Sequence, residues 1–296
     1  MKTLITTTTL LLALSASAQT GSTREGYELQ WNKTLAVVAD SLLNGPHKLP
    51  AWSVAVHEAD DSEVMGWWLA DMTSMSTAVT KGKPAKANGL RIAQLPAASM
   101  AMAAVTNERK ARFAKLTIAF AVNDSVPAAP TDGQEAYMHE LAVKYNRAVV
   151  QKQIAEYEKQ LAKAGDKLSD TKGDVAKNQS NLTKANSKLE KIKSQRRKVE
   201  KNNAGYSGDI AGLEKKFALS NDPKDLKKLT KAREKLAKGE SSLARLMKQE
   251  ADVQGDIAKQ QGRLESNTGK AEERGATKEE LQQVLDALKR KHDSIQ

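Results

Sequence analysis

Apolar residues return at every seventh position in Ile154, Leu161, Leu168, Val175, Leu182 and Leu189. Three residues behind each runs a second series: Tyr157, Ala164, Thr171, Asn178, Ala185 and Ile192. A seven-residue repeat puts both series on one stripe of an α-helix, and that stripe needs another helix to cover it. The pattern resumes in Leu229, Leu236, Leu243, Ile257 and Leu264, with Glu250 as an exception and Ala232, Leu246 and Val253 at partner positions. The second half of the chain is thus restricted to long paired helices of coiled-coil character. Small and polar residues in the second series imply close, imperfect packing, and Asn178 would fix the register at some cost in stability.

Asn202-Asn203-Ala204-Gly205-Tyr206-Ser207-Gly208 carries two Gly and two Asn, which predicts a turn. Two antiparallel arms over residues 134–270 are therefore expected, reversing near 202–208. A first arm of roughly 70 residues would be about 100 Å long. Asp222-Pro223 is a second punctuation, with Asp222 capping a helix whose first turn suits Pro223. Gly262 and Gly269 loosen the end of the second arm. Thr277 to Glu280 reads as a capping box that opens a short amphipathic helix over 277–296, with Leu281, Val284, Leu285 and Leu288 on its apolar face. The alternative is a continuous kinked rod that pairs between chains as a homo-oligomer.

Pro127 and Pro130 mark a linker, taken as 129–133, with a helix starting near Thr131 or Asp132. Residues 19–128 before it read as an α+β head. Leu35, Val38, Ala39 and Leu42 recur at helical spacing after Asn32, and Gly45-Pro46 would end that helix. Trp52, Val54 and Val56 alternate as in a strand near 51–57. Gly66 to Ala70 reads as extended, which sends Trp67 and Trp68 to opposite faces. Lys81 to Asn88 reads as a polar loop and Leu90 to Ala93 as a short strand. Ser99–Val105 and Phe113–Val122 form a hairpin with a charged tip at Asn107 to Lys110. One helix against four or five mostly antiparallel strands makes a two-layer head.

The 296 residues carry a formal net charge of +11. Residues 20–132 balance 11 basic against 11 acidic side chains, whereas residues 133–296 hold 35 against 25. The positive field therefore belongs to the helices and attracts anionic partners. Lys191, Lys193, Arg196, Arg197, Lys198 and Lys201 precede the expected turn, and Lys215, Lys216, Lys224, Lys227, Lys228 and Lys231 follow it. A reversal at 202–208 would gather both sets at one end as an anionic-surface contact. The other reading is a solvated face with lysines interleaved among carboxylates.

Residues 1–18 have the layout of a secretory signal peptide: Lys2, a short apolar run to Leu14, and Ala16-Ser17-Ala18 before Gln19. Export makes nucleic acid a poor partner and places the mature chain in the periplasm or outside the cell. With no cysteine, neither a disulfide nor a thiolate site can form. His47, His57, His139 and His292 lack metal-ligand spacing, and no phosphate loop or nucleophile elbow is present. No cofactor, metal or catalytic residue is expected.

Ala18-Gln19-Thr20, Gly66-Trp67-Trp68 and the passage from Phe120 through Gln134 into the heptads give the chain the layout of a known group. It resembles uncharacterised secreted proteins of Bacteroidetes-type bacteria with a small α+β domain and a C-terminal coiled coil. The resemblance implies location and architecture, and no activity. Three functions fit: an exported scaffold or adaptor that binds an envelope protein or anionic surface polymer, a periplasmic holdase chaperone with basic arms, or a ligand-binding head with Trp67 or Trp68 in a groove.

Overall fold

The computed structural model describes residues 26–296, so the expected signal peptide at 1–18 lies outside the described residues. The elements run β1 (Val38–Asn44), β2 (His47–His57), α1 (Asp61–Met75), β3 (Ala78–Thr80), β4 (Ala85–Asn88), β5 (Met100–Glu108), β6 (Phe113–Ala121), α2 (Asp132–Ser220) and α3 (Pro223–Asp293). The six strands form one antiparallel sheet in the order β1-β2-β6-β5-β4-β3. The chain divides into two compact units. One contains the sheet, α2 as far as Leu161, and Glu280–Gln296; the other is Ala162–Glu279.

Several local expectations give way to the sheet. Residues 38–44 form a strand where a helix was expected, and Gly45-Pro46 is a hairpin turn, with Asn44 paired to His47. Gly45 sits at φ 59°, the left-handed region that a tight hairpin loop requires of its first residue. Short apolar runs fit either period, and strand pairing decided this one. Trp67 and Trp68 lie on α1, which the expected strand at 66–70 had hidden. Asp60 caps that helix by accepting the Glu63 N–H at 2.8 Å, and Val64, Trp68 and Met72 bury one of its faces. Part of the expected polar loop, Ala85–Asn88, is β4, while Leu90 to Ala93 forms no strand. The β5–β6 hairpin is as expected, with Met100 opposite Ala121 and Glu108 opposite Phe113.

Alternation divides the sheet between two cores. Val54, Val56, Leu116, Ile118 and Phe120 face a helical layer. That layer holds Trp68 of α1, Met138, Leu141, Tyr145 and Val149 of α2, and Leu285 and Leu288 of α3, with Ile295 beyond its end. On the opposite face Leu42, Leu49 and Ala51 pack on Met102, Ala119 and Ala121. They can do so because β2 pairs with β6 only from Trp52 onward, which frees its first half and β1 to bend across β5 and β6.

Polar contacts fix the helical layer on the sheet. Buried Asn146 accepts the His57 N–H at 2.8 Å and donates to the carbonyls of Ala55 and Ala142 at 3.0 and 2.8 Å. Arg147 donates to the Ile295 carbonyl at 2.8 Å. Lys291 donates to the Glu28 carbonyl at 2.7 Å and pairs with Glu58 at 2.5 Å. Glu58 also accepts the Glu28 N–H at 2.7 Å and an N–H of Gln153 at 3.0 Å. Only 2% of the Lys291 side chain and 8% of the Glu58 side chain are exposed, so this is a buried ion pair with further hydrogen bonds to each partner.

In the second unit α2 and α3 pack together with the contacts of a helical hairpin. Contacts run antiparallel: Arg274 on Lys167 and Thr171, Arg196 on Glu250, Asn203 against Gly239, and Arg233 on Glu214. The reversal is at Asn221-Asp222, not at 202–208, through which α2 runs unbroken. The seven-residue series continues across the Asn- and Gly-rich stretch as Arg196, Asn203, Ile210 and Phe217, and as Val199, Tyr206 and Leu213. All of these are half-buried. Packing therefore outweighs the poor helix propensity of Gly and Asn, up to about 1 kcal/mol per residue. Asp222 caps α3 as expected, accepting the Lys224 N–H at 2.8 Å. Gly262, Gly269 and Thr277 lie inside α3, so there is no separate final helix; the Thr277 hydroxyl donates back to the Glu273 carbonyl at 3.0 Å. Among the described residues no helix is long and apolar enough to cross a membrane.

Fully buried Leu288 offers a direct test of the helical layer. Leu288→Ala is expected to destabilise the sheet unit by about 2–5 kcal/mol. The readout is a lower urea midpoint by Trp fluorescence, with no such loss for exposed Leu219→Ala.

Candidate functional site

The basic residues fall into two groups, which the position of the reversal keeps apart. Lys191, Lys193, Arg196, Arg197, Lys198 and Lys201 lie about 30–45 Å along α2 before the reversal, at 1.5 Å per residue. They do not share one end of the hairpin with the second group, as a turn at 202–208 would have required. Their charge is also partly met. Lys193 pairs with Glu190 at 3.0 Å, and Arg196 reaches Glu200 at 3.5 Å and Glu250 at 3.3 Å. Arg196 and Glu250 both occupy heptad core positions, so the Glu250 exception has a matching exception on the facing helix.

Lys215, Lys216, Lys224, Lys227, Lys228 and Lys231 surround the reversal, and all six are exposed. Residues 215–235 hold eight Lys and Arg against three carboxylates. One of those, Asp225, is buried in the first turn of α3, with Lys216 at 3.5 Å, Lys228 at 3.9 Å and the Ser220 hydroxyl at 3.4 Å. The helix N-terminus adds a favourable dipole to that carboxylate. Asn221 turns the chain at φ 52°, and its N–H returns to the Phe217 carbonyl at 2.8 Å. Beside it stand two exposed leucines, Leu219 at 89% and Leu226 at 46%. The result is a cationic turn with apolar side chains at its centre.

The two tryptophans take different places. Trp68 is wholly buried in the head core, with its indole N–H unpartnered. Trp67 is half-buried, its ring 5.8 Å from that of Tyr145. The Tyr145 hydroxyl donates to Asp71 at 2.9 Å, and burial pushes its ionisation well above the usual range. Trp67 is tied into packing, and Trp68 offers no face to a ligand.

A cavity of about 90 Å³ in the head was not expected from the sequence. Trp31, His57, Lys33, Arg112, Glu58 and Lys291 are among its lining residues. The His57 ring stands edge-on to Trp31 at 5.6 Å, and burial, reinforced by Lys33, holds its pKa below the usual value. Glu58 and Lys291 are 233 positions apart, and neither has a local motif that reveals the other. On the opposite sheet face the Ser53 hydroxyl donates to Asp40 at 2.6 Å, and the Ser41 N–H and Lys115 also bond it. Together they bring the Asp40 pKa down to about 2.

For Glu58, burial alone would raise the pKa, but the N–H of Glu28, the Lys291 ammonium and Gln153 outweigh it and hold it below 4.5. A depressed carboxylate contributes stability that is complete above its unfolded value and lost as pH falls through the folded one. Glu58→Gln leaves the Lys291 charge buried without its counter-ion. It is expected to cost about 3–5 kcal/mol at pH 7. The gap from the native chain should narrow below pH 4 in urea titrations at pH 7 and pH 3.

Comparison with protein-family models finds none that matches this chain, and comparison with curated proteins finds no match either.

Proposed function

We propose that the chain is an exported, non-enzymatic scaffold or adaptor of the cell envelope. Its two long helices act as an antiparallel coiled coil whose basic turn meets an anionic partner. The observation that carries this reading is the exposed cationic turn, whose most buried carboxylate, Asp225, is already held by Lys216 and Lys228. The coiled-coil reading is supported by the seam: residues of the two heptad series are buried or half-buried from Leu168 to Phe217 and from Leu229 to Arg274. Residues between them are mostly charged and exposed, which suits contact with a large partner. The signal-like N-terminus and the likeness to secreted Bacteroidetes-type proteins support export to the periplasm or beyond. An envelope protein or an acidic surface polymer fits the charge.

One observation favours a holdase chaperone as the second reading. Leu219, Leu226 and Met247 are exposed on basic helices, where they could meet apolar segments of an unfolded client. Suppression of client aggregation at equimolar chain would move that reading to the front.

The adaptor reading predicts retention of the mature chain on a dextran sulfate column. Elution should come at a few hundred millimolar salt, because exposed charges are screened beyond about 10 Å at 0.1 M. Changing Lys215, Lys224, Lys227 and Lys231 together to Gln should lower the elution salt more than the same change at Lys191, Arg197, Lys198 and Lys201. Equal shifts would remove the turn from its assigned role.

A further inference from the structure

The helical reversal pairs two features that a purely electrostatic contact does not need together. Leu219 is 89% exposed, two residues before Asn221, and Leu226 is 46% exposed, three residues after Pro223. An exposed leucine alone is ordinary. Here two of them flank a chain reversal set among exposed Lys215, Lys224, Lys227 and Lys231. Asp225 is turned inward, onto Lys216 and Lys228, so its charge does not stand at the surface. Asp222 is engaged in capping α3.

Resting on the adaptor reading above, we propose that this turn docks on an anionic lipid bilayer. Leu219 and Leu226 enter the boundary between headgroups and acyl chains, and the lysines meet lipid phosphates. Lysine suits this arrangement because its four-carbon stem can follow the leucines inward while its ammonium stays among the headgroups. Each lysine held near an anionic surface strengthens binding roughly fivefold, the equivalent of about 1 kcal/mol. Four lysines give appreciable but reversible attachment. An acidic polymer would use the lysines and leave both leucines in water, and a second copy of the same turn would bring like charges together. An anionic bilayer uses both features at once.

The test is sedimentation of the full mature chain with vesicles of phosphatidylcholine containing about one third phosphatidylglycerol, beside pure phosphatidylcholine. Binding to the anionic vesicles is expected to be at least tenfold tighter. Leu219→Ser with Leu226→Ser should weaken it about tenfold or more while leaving helicity and dextran sulfate retention unchanged, since both side chains are exposed. Unchanged vesicle binding by the serine variant would overturn the proposal. Retention on dextran sulfate without vesicle binding would overturn the bilayer inference and leave the anionic-partner reading standing. Failure on both would sink both.

Discussion

The helix-facing side of the sheet cannot be buried by α1 alone. Val54, Val56, Leu116, Ile118 and Phe120 present a surface wider than one 15-residue helix covers, and residues far along the chain supply the rest. Met138 to Tyr157 come from the start of α2, while Leu285, Leu288 and Ile295 come from the chain's last residues. Apolar burial drives this assembly, and the polar contacts fix its geometry. Asn146 ties α2 to the edge of β2. Lys291 ties the end of α3 to the turn after β2, where Glu58 is held at φ 57°. The buried pair adds little net stability over an apolar pair, because desolvation offsets most of its attraction.

This requirement imposes a reversal. A chain that leaves the sheet unit after Leu161 and contributes to it again from Glu280 must turn back between those points. The seam of the second unit explains how one register is selected. Its apolar residues are interrupted by polar ones, and the interruptions are matched across the pair. Arg196 meets Glu250, Arg274 reaches Thr171, and Asn203 lies where Gly239 has no side chain. A Cβ at Gly239 would lie 1.8 Å from the Asn203 amide oxygen, so the two positions depend on each other. Sliding one helix by a heptad would leave two arginines, a glutamate and an asparagine without these partners. Polar residues at core positions commonly select register in this way.

Legibility in the sequence followed the range of the interactions. The β5–β6 hairpin, the start of α2 at Asp132, the Asp222 cap and the heptads are local signals, and all four were readable. Leu35 to Leu42 fitted a helical period, but β1 was decided by pairing with β2. Asp60-x-x-Glu63 was a helix start that the Trp pair obscured. In the stretch 202–208 the Gly and Asn residues signal a turn by propensity, but the heptad positions run through it and their packing keeps it helical. The cationic turn was partly legible. Its lysines could be named, but grouping them required the true reversal, and the exposure of Leu219 and Leu226 required the structure. The Glu58–Lys291 pair and the cavity beside it come from residues with no sequence relation.

Helices α2 and α3 pair within one chain in the register that sets Asn203 against Gly239. The native sequence has no cysteine, so introduced thiols report without interference. The chain carrying both Asn203→Cys and Gly239→Cys should oxidise to a species that stays at monomer mass on a denaturing gel and migrates faster than its reduced form. Mixed single-cysteine chains should give no cross-linked pair. A disulfide-linked dimer from the mixture would mean that the helices pair between chains, and no intrachain bond in the double variant would mean that they pair in another register.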